Sequence, residues 1–309
     1  MTETPVKTAT SKNRLRALRK RFVVYPLEGL VVNLAYAFFA ALPIDRASDL
    51  GGWLGRTFGP RLGITERAVL NLERAFPEKR APEIQAIVRA MWDNLGRVLA
   101  EFPHLGEIRL CGKDRRVEVT GLENFDRLRT DGRPGIFFSA HFGNWEVAPL
   151  AATQRGLPLG QIYRSANNRM IDRLIRRARS GIDGELIPKG AEGARKAIAT
   201  MNAGGHLAMV VDQKMNDGIA VPFFGRQAMT APALAQLALK FDCPVVPVRV
   251  ERLRGCRFRI TFFPPMEIGS TGDRKADVVR IMTRVNALIE GWIRARPEQW
   301  LWLHRRWPE

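Results

Sequence analysis

The stretch 135-GIFFSAHFGNWEVAPL-150 carries the pattern that decides the fold. Residues 136–140 are typical of a buried strand, and they run directly into His141, one of only four histidines in the chain. A helical pattern follows over 144–154. A strand that leads straight into a helix is the repeating unit of an α/β sheet, in which reactive groups collect at the carboxyl ends of strands. The stretch therefore predicts an α/β fold with a functional site at His141.

The same alternation continues along the chain. Helical periodicity covers 65–76 and 82–101, and after Pro103 short apolar runs bounded by Gly or Pro alternate with helices. The predicted strands are 136–140, 158–164, 206–212, 244–250 and 257–264, and the later helices are 144–154, 167–180, 190–203, 231–241 and 273–295. We expect a mostly β central sheet flanked by helices.

Three regions follow from this pattern. Residues 1–21 form a basic, polar N-terminus, residues 22–103 a helical region, and residues 104–309 the α/β domain that carries His141. No Pro-, Gly- or Ser-rich linker separates them, so we expect subregions of one unit.

The helical region opens with the apolar segment 22-FVVYPLEGLVVNLAYAFFAALP-43, directly after a basic run. Its cleanest part, 29–42, falls short of the ~20 apolar residues that a spanning helix needs. A basic, aromatic-bearing helix of this kind favours an anchor in the membrane interface. A single span, a signal segment and a core helix remain as alternatives.

The charge balance constrains the partners. There are 49 basic and 31 acidic residues among the 309, a net charge of +18, which indicates an anionic membrane, an acidic protein or nucleic acid. No helix-turn-helix, zinc-finger or RNP pattern occurs, so we expect no nucleic acid. The three cysteines, Cys111, Cys243 and Cys256, have no metal-ligand spacing, so no metal site is predicted.

His141 and Glu146 form the candidate catalytic pair. Asn144 can cap the following helix, which would fold the Glu146 carboxylate back towards the imidazole. The carboxylate would then fix the tautomer and leave the other ring nitrogen as a general base. Gly143 would let the backbone turn tightly beside the substrate. The alternative is an unrelated glutamate that the helix dipole favours at this position.

Other patterns carry less weight. Ser139 lies near His141, but no G-x-S-x-G turn surrounds it, which disfavours a serine hydrolase. The segment 181-GIDGELIPKGAEG-193 fits neither a P-loop nor a Rossmann fingerprint, so no nucleotide cofactor is expected. His304 and Glu309 repeat the spacing of the candidate pair, but Pro308 and the chain end argue against a fixed dyad there.

Several motifs in one order resemble a known family. SAHFGNWE is similar to the H-x4-D/E motif of the glycerolipid acyltransferase superfamily, and the remaining motifs resemble the late (secondary, lauroyl/myristoyl-type) lipid A biosynthesis acyltransferases of Gram-negative bacteria. These motifs are Tyr163-Arg164, Asn167-Asn168, Arg179, Lys189-Gly190, Val211-Asp212-Gln213, 221-VPFFG-225, 230-TAP-232 and 297-PEQWLWLHRRW-307. The resemblance covers about residues 20–307.

The resemblance implies an acyl transfer without cofactor. His141, with Glu146, would deprotonate a hydroxyl of a lipid A precursor, which would attack the thioester of an acyl carrier protein. Loss of Glu146 should then cost nearly as much activity as loss of His141. The implied substrate-binding residues are Gly143, Asn144, Arg164, Arg179, Lys189, Asp212 and Gln213, of which the basic ones would hold phosphate or sugar groups and Asp212 would orient a basic residue or a sugar hydroxyl.

The same resemblance implies a place and leaves alternatives. The enzyme would lie at the inner membrane with the α/β domain on the cytoplasmic face. An acyltransferase for another glycolipid or aminolipid, and a membrane-bound thioesterase or esterase that uses His141 to activate water, remain open.

Overall fold

The computed structural model describes residues 18–182 and 184–307. A π-helical turn (Lys20–Val24) continues into α1 (Tyr25–Ala40), and three helices follow: α2 (Ile44–Phe58), α3 (Thr65–Ala75) and α4 (Ala81–Glu101). The remaining strands and α-helices are, in chain order, β1 (Val117–Thr120), α5 (Leu122–Thr130), β2 (Gly135–Ser139), α6 (Val147–Gln154), β3 (Leu159–Tyr163), α7 (Arg169–Ala178), β4 (Leu186–Pro188), α8 (Ala191–Asn202), β5 (His206–Val210), β6 (Lys214–Phe223), β7 (Arg226–Thr230), α9 (Ala233–Phe241), β8 (Val245–Arg254), β9 (Arg257–Phe262) and α10 (Arg274–Ala295).

Within the described residues, the central sheet has seven strands in the order β1-β9-β8-β2-β5-β3-β4. All neighbouring pairs are parallel except β8 and β9, which form an antiparallel hairpin. In β2, every residue is buried, as expected for a central strand covered on both faces. The strand that leads to His141 is therefore held at the middle of the sheet, between β8 and β5.

Each face of the sheet carries its own apolar core. On one face, α6 packs over Phe137 and Phe262, and their rings lie 6.2 Å apart. On the other face, α10 packs its Trp292 against Phe138, with stacked rings 6.3 Å apart. Alternate residues of β2 thus point into opposite cores, as the period of a strand requires.

The N-terminal helices α2 and α4 cross at very short range because glycines face each other. A Cβ on Gly51 would lie 2.4 Å from the carbonyl oxygen of Gly96, and one on Gly55 would lie 2.0 Å from that of Trp92. Helix α4 is joined to the sheet by a buried ion pair, in which Arg252 donates to Glu101 over 2.5 Å. These contacts connect the helical region tightly to the α/β domain.

The predicted fold class is confirmed, and the predicted strands and helices all occur with small shifts at their ends. The sequence prediction missed α2, β1, α5, β4 and the β6–β7 hairpin. The apolar helix extends beyond the run 29–42: Lys20–Ala40 forms 21 continuous helical residues, and an 18-residue window within it has a mean hydropathy of 1.6, so by length and composition it could cross a membrane. Only 6% of its apolar window is buried, which rules out a core helix.

Candidate active site

His141 lies at the carboxyl end of β2, where a second strand end supplies its partner. Asp212 follows β5, which pairs with β2, and its Oδ1 accepts a hydrogen bond of 2.7 Å from Nδ1 of His141. Its Oδ2 accepts two more, from the His141 backbone N–H (2.8 Å) and from the Trp300 indole N–H (2.7 Å). An ionised carboxylate can only accept hydrogen bonds, so Nδ1 of His141 carries the proton and Nε2 remains the basic nitrogen.

The predicted pairing of His141 with Glu146 is therefore wrong, because the structure gives each side chain a different partner. Glu146 is the residue just before α6, and its carboxylate forms a two-point pair with Arg179 (2.8 and 2.5 Å) and accepts from the Trp145 indole (3.1 Å). The backbone turn before α6 directs Glu146 towards α7, whereas Asp212 already occupies the Nδ1 side of the imidazole. In the structure, Glu146 is therefore the partner of Arg179, and Asp212 is the carboxylate bonded to the His141 ring.

The same ion pair gives Arg179 a partner within the protein. It was predicted to hold substrate phosphate, but Glu146 neutralises its guanidinium and both side chains are largely buried, at 15% and 5% exposure. Burial opposes the charge on Arg179, but Glu146 outweighs it and raises the pKa of the guanidinium. Its contacts favour a role in fixing Glu146 and the pocket wall.

His304 lies beside His141 in the candidate site, although the sequence pattern did not indicate it. Its ring centre lies 5.1 Å from that of His141, and the amide nitrogen of Gln213 lies between the two Nε2 atoms, at 3.2 Å and 3.3 Å. An amide NH2 can donate to both rings when both are neutral. The motif 297-PEQWLWLHRRW-307 contains His304, but the sequence alone does not show that this tail folds onto His141.

The electrostatics of this group favour one charged carboxylate and a neutral second histidine. Burial alone would raise the pKa of Asp212, but the charge and hydrogen bonds of His141 outweigh burial and lower it below its usual range. Burial, and then the charge of His141, lower the pKa of His304 to about 4. His304 is therefore neutral near pH 7.

This shift predicts a pH-dependent stability. Because the pKa of His304 falls from 6.5 to about 4 on folding, the unfolded chain binds more protons between these values, and stability declines as the pH falls through that window. The contribution is at most about 3 kcal/mol. Urea unfolding from pH 7 to pH 4 should show a shallower decline for His304→Gln than for the wild type. Parallel declines would contradict a neutral, buried His304.

Gly143 and Asn144 support the site from behind, and neither lines the pocket. Gly143 has a φ of +58°, and a Cβ there would lie 2.1 Å from the carbonyl oxygen of Val250. The Asn144 side chain is fully buried, accepts from the Glu146 backbone N–H (3.2 Å) and donates to Glu101 (2.8 Å). In place of the predicted direct contacts with substrate, Gly143 packs closely against strand β8, and Asn144 connects the loop to α4.

A cavity of about 350 Å³ opens beside His141 and extends between α6 and the sheet. Its inner part is lined by apolar residues, Phe137, Ala152, Leu159, Ala208, Val248 and Phe262, and its outer part by polar ones, His141, Arg164, Lys189, Gln213 and His304. An apolar slot with a polar, basic mouth suits a long hydrocarbon chain that ends in a reactive polar group.

The basic mouth has two cations without a carboxylate partner among the described residues, Arg164 and Lys189. Arg164 follows β3 and is exposed, and Lys189 follows β4, where its backbone N–H donates to Tyr163 (2.8 Å). Burial lowers the pKa of the Lys189 ammonium, Asp212 opposes this effect, and Arg164 adds to it. Two neighbouring cations that repel each other are suited to an anionic ligand such as phosphate.

Comparisons with known proteins agree over most of the chain. Residues 18–309 match the model of the bacterial lipid A biosynthesis acyltransferases. The lipid A biosynthesis myristoyltransferase of Escherichia coli K12 is 26% identical over 277 residues (87% of this chain, 83% of that protein), and the lauroyltransferase of the same strain is 28% identical over 290 (90% and 87%). The phosphatidylinositol mannoside acyltransferase of Mycolicibacterium smegmatis is 22% identical over 290 residues (91% and 93%).

Among solved structures, the 1-acyl-sn-glycerophosphate acyltransferase of Thermotoga maritima covers 92% of this chain and 100% of its own, at 14% identity and a TM-score of 0.39, too low to define the fold. The family match spans nearly the whole chain and includes the strand, the loop and the tail that build the site around His141. The chain belongs to the bacterial lipid A biosynthesis acyltransferase family.

Proposed function

We propose that the enzyme transfers a fatty acyl chain from acyl carrier protein to a hydroxyl of a phosphorylated lipid A precursor. The observation that carries the proposal is His141, oriented by Asp212, at the junction of an apolar slot and a basic mouth. The slot would take the acyl chain, the mouth would take the phosphorylated acceptor, and the base would lie where the two meet.

The proposed transfer uses these side chains as follows. The acceptor hydroxyl would replace the Gln213 amide at Nε2 of His141 and give its proton to that nitrogen as its oxygen attacks the thioester carbonyl. Asp212 would stabilise the imidazolium. When the tetrahedral intermediate collapses, the C–S bond breaks, and the departing thiolate takes the proton back from Nε2. The products are the ester and the free thiol of the carrier, and His141 and Asp212 return to their starting state.

The basic mouth leads to a prediction on affinity. If Arg164 and Lys189 hold acceptor phosphate, Arg164→Ala should raise KM for the phosphorylated acceptor roughly 10- to 100-fold. Arg164→Lys should recover only part, because an ammonium cannot reproduce the planar fork. Arg169→Ala, an exposed arginine outside the cavity lining, is the matched control. Initial rates of labelled acyl transfer would be measured against acceptor-free thioester hydrolysis, and equal losses in both would contradict the assignment.

The apolar slot leads to a prediction on chain length. Ala208 on β5 lies level with Phe137 of β2 and lines the inner part of the slot. Ala208→Val should shorten the slot and lower kcat/KM for the longest accepted chain roughly tenfold or more relative to shorter ones. Competition between carrier proteins loaded with chains of different length would give the ratio directly. An unchanged ratio would place the acyl chain elsewhere.

The anchor helix lies next to this mouth. Asn168, at the start of α7, donates to the carbonyl of Tyr25 (2.7 Å), and a Cβ on Gly29 would lie 2.7 Å from the Met170 sulfur, while Ile175 and Arg179 near the end of α7 line the cavity. We propose that α1 lies in or across the inner membrane, with the α/β domain on its cytoplasmic face. A lipid acceptor could then enter from the bilayer beside α1.

Two alternative functions can be distinguished from the proposed one by experiment. The similarity to a phosphatidylinositol mannoside acyltransferase supports another glycolipid as the second candidate acceptor. A thioesterase would release fatty acid at a rate that acceptor does not change. Mass spectrometry of lipid A from a strain that lacks the gene tests the acceptor: loss of one secondary acyl chain is expected, and an unchanged lipid A profile with a change in another glycolipid would favour the second candidate.

A further inference from the structure

The last turns of α2 and the loop that leads to α3 carry an exposed apolar surface outside the cavity at His141. We call it the Trp53 patch; it consists of Trp53, Phe58, Leu62 and Ile64, each between 42% and 52% exposed. The rings of Trp53 and Phe58 meet edge to face with their centres 6.1 Å apart. Scattered exposed apolar residues are normal, but a cluster with two aromatic rings and a polar rim marks a contact surface.

The rim of the Trp53 patch is cationic. Arg56, Arg61 and Arg89 surround a groove that Trp53 also lines. Arg56 is paired with Asp93 at 2.6 Å, but Arg89 is exposed and has no carboxylate partner among the described residues. The segment 53-WLGRTFGPRLGIT-65 contains two arginines and no acidic residue. Aromatic side chains among arginines are typical of the interface of an anionic membrane.

The Trp53 patch is held rigidly on the body of the enzyme. A Cβ on Gly59 would lie 2.2 Å from the Trp92 ring, so the turn sits directly on α4, and the Trp92 indole donates to Thr65 (3.0 Å). The patch is also close to the anchor: α2 begins at Ile44, four residues after α1 ends, and its 15 residues span about 22 Å. A membrane that holds α1 is therefore within reach of the patch.

We infer that the Trp53 patch is a second contact between the enzyme and an anionic lipid surface, separate from α1. The inference rests on the membrane association proposed above. The positive rim matches anionic headgroups, and the four apolar side chains match the boundary below them. Two contacts on one rigid body fix its rotation about α1, which would keep the basic mouth turned to the lipid.

Site-specific fluorescence on the full-length chain tests this contact. The exposed Cys111 is replaced (Cys111→Ser), whereas Cys243 and Cys256 are buried and stay. A polarity-sensitive probe is then attached at Phe58→Cys. Leu34→Cys on α1 reports the anchor, and Val279→Cys on α10, 41% exposed, is the matched control. Each protein is mixed with vesicles of phosphatidylglycerol and phosphatidylethanolamine that carry a quencher on their acyl chains.

We expect several-fold quenching of the probe at Phe58→Cys and no quenching of the probe at Val279→Cys. The quenching at position 58 should weaken when Arg61→Gln and Arg89→Gln are introduced, and also when the vesicles consist of phosphatidylcholine. A Phe58 probe that behaves like the Val279 probe while the Leu34 probe is quenched would overturn the second contact and leave the anchor intact. Quenching of the Phe58 probe without quenching of the Leu34 probe would support the membrane contact of the Trp53 patch and contradict the anchoring role of α1. A blue shift at Phe58 that grows with protein concentration without lipid would assign the patch to a second copy and overturn the inference.

Discussion

His141→Ala is expected to reduce kcat for acyl transfer about 10³-fold or more, because it removes the imidazole that Asp212 holds in place to take the acceptor proton. The Asp212 carboxylate would keep its bonds to the His141 backbone N–H and to Trp300 but lose its ring partner. Single-turnover transfer of a labelled acyl chain, with saturating acceptor, measures the chemical step directly. KM for the acceptor should change little.

His141→Asn supplies the control for folding. Its amide nitrogen can replace Nδ1 in the bond to Asp212, so the buried carboxylate keeps a partner, yet position 141 no longer carries a basic nitrogen. The thermal midpoint should stay near that of the wild type while activity is lost as in His141→Ala. Substantial turnover by a well-folded His141→Asn protein would show that another group takes the proton.

The second large expected effect distinguishes the role of the Asp212 carboxylate from that of Glu146. Asp212→Asn should lower kcat roughly 10²–10⁴-fold, because an amide can donate to Nδ1 and so favour the tautomer whose Nε2 is protonated. Proton NMR of the enzyme should show a strongly hydrogen-bonded ring proton at Nδ1 that disappears in this variant. We still expect Glu146→Gln to cost much of the activity, but with the His141 proton signal retained.

The reason for the Glu146 effect is the buried Arg179. Removing the Glu146 charge leaves the guanidinium unpaired, which should destabilise the fold by roughly 3–5 kcal/mol. The double variant Glu146→Gln/Arg179→Gln should recover much of this loss, whereas Arg164→Gln, at an arginine without a carboxylate partner among the described residues, should recover none. Loss of the Nδ1 proton signal in Glu146→Gln would contradict the assignment of Asp212 as the orienting carboxylate.

The sequence predicted the position of His141 because strand and helix periodicities are local. It could not show that Asp212 is the partner, since the two residues lie 71 positions apart and meet only through the pairing of β2 with β5. Spacing alone favoured Glu146, five residues away, but one backbone turn sends that carboxylate to Arg179. A pairing set by sheet order leaves no local signal.

The remaining misses have similar causes. His304 reaches the site because the tail folds back over the His141 loop, where Leu301 donates to the His141 carbonyl (3.1 Å) and Trp300 bridges to Phe142. Helix α2 was missed because its glycines, such as Gly51 and Gly55, disfavour a helix locally, although close packing against α4 requires them. In both cases the structure depends on tertiary contacts, which the local sequence pattern does not show.

The most direct test of the central claim is product analysis with purified components. The full-length enzyme is given a loaded acyl carrier protein with and without the phosphorylated lipid A precursor, and both lipid and free fatty acid are quantified by mass spectrometry. We predict an acceptor that is heavier by one acyl ester, formed in step with release of free carrier thiol, and little fatty acid when acceptor is absent. Release of fatty acid at the same rate with and without acceptor, with no acylated lipid, would contradict the claim that His141 activates an acceptor hydroxyl.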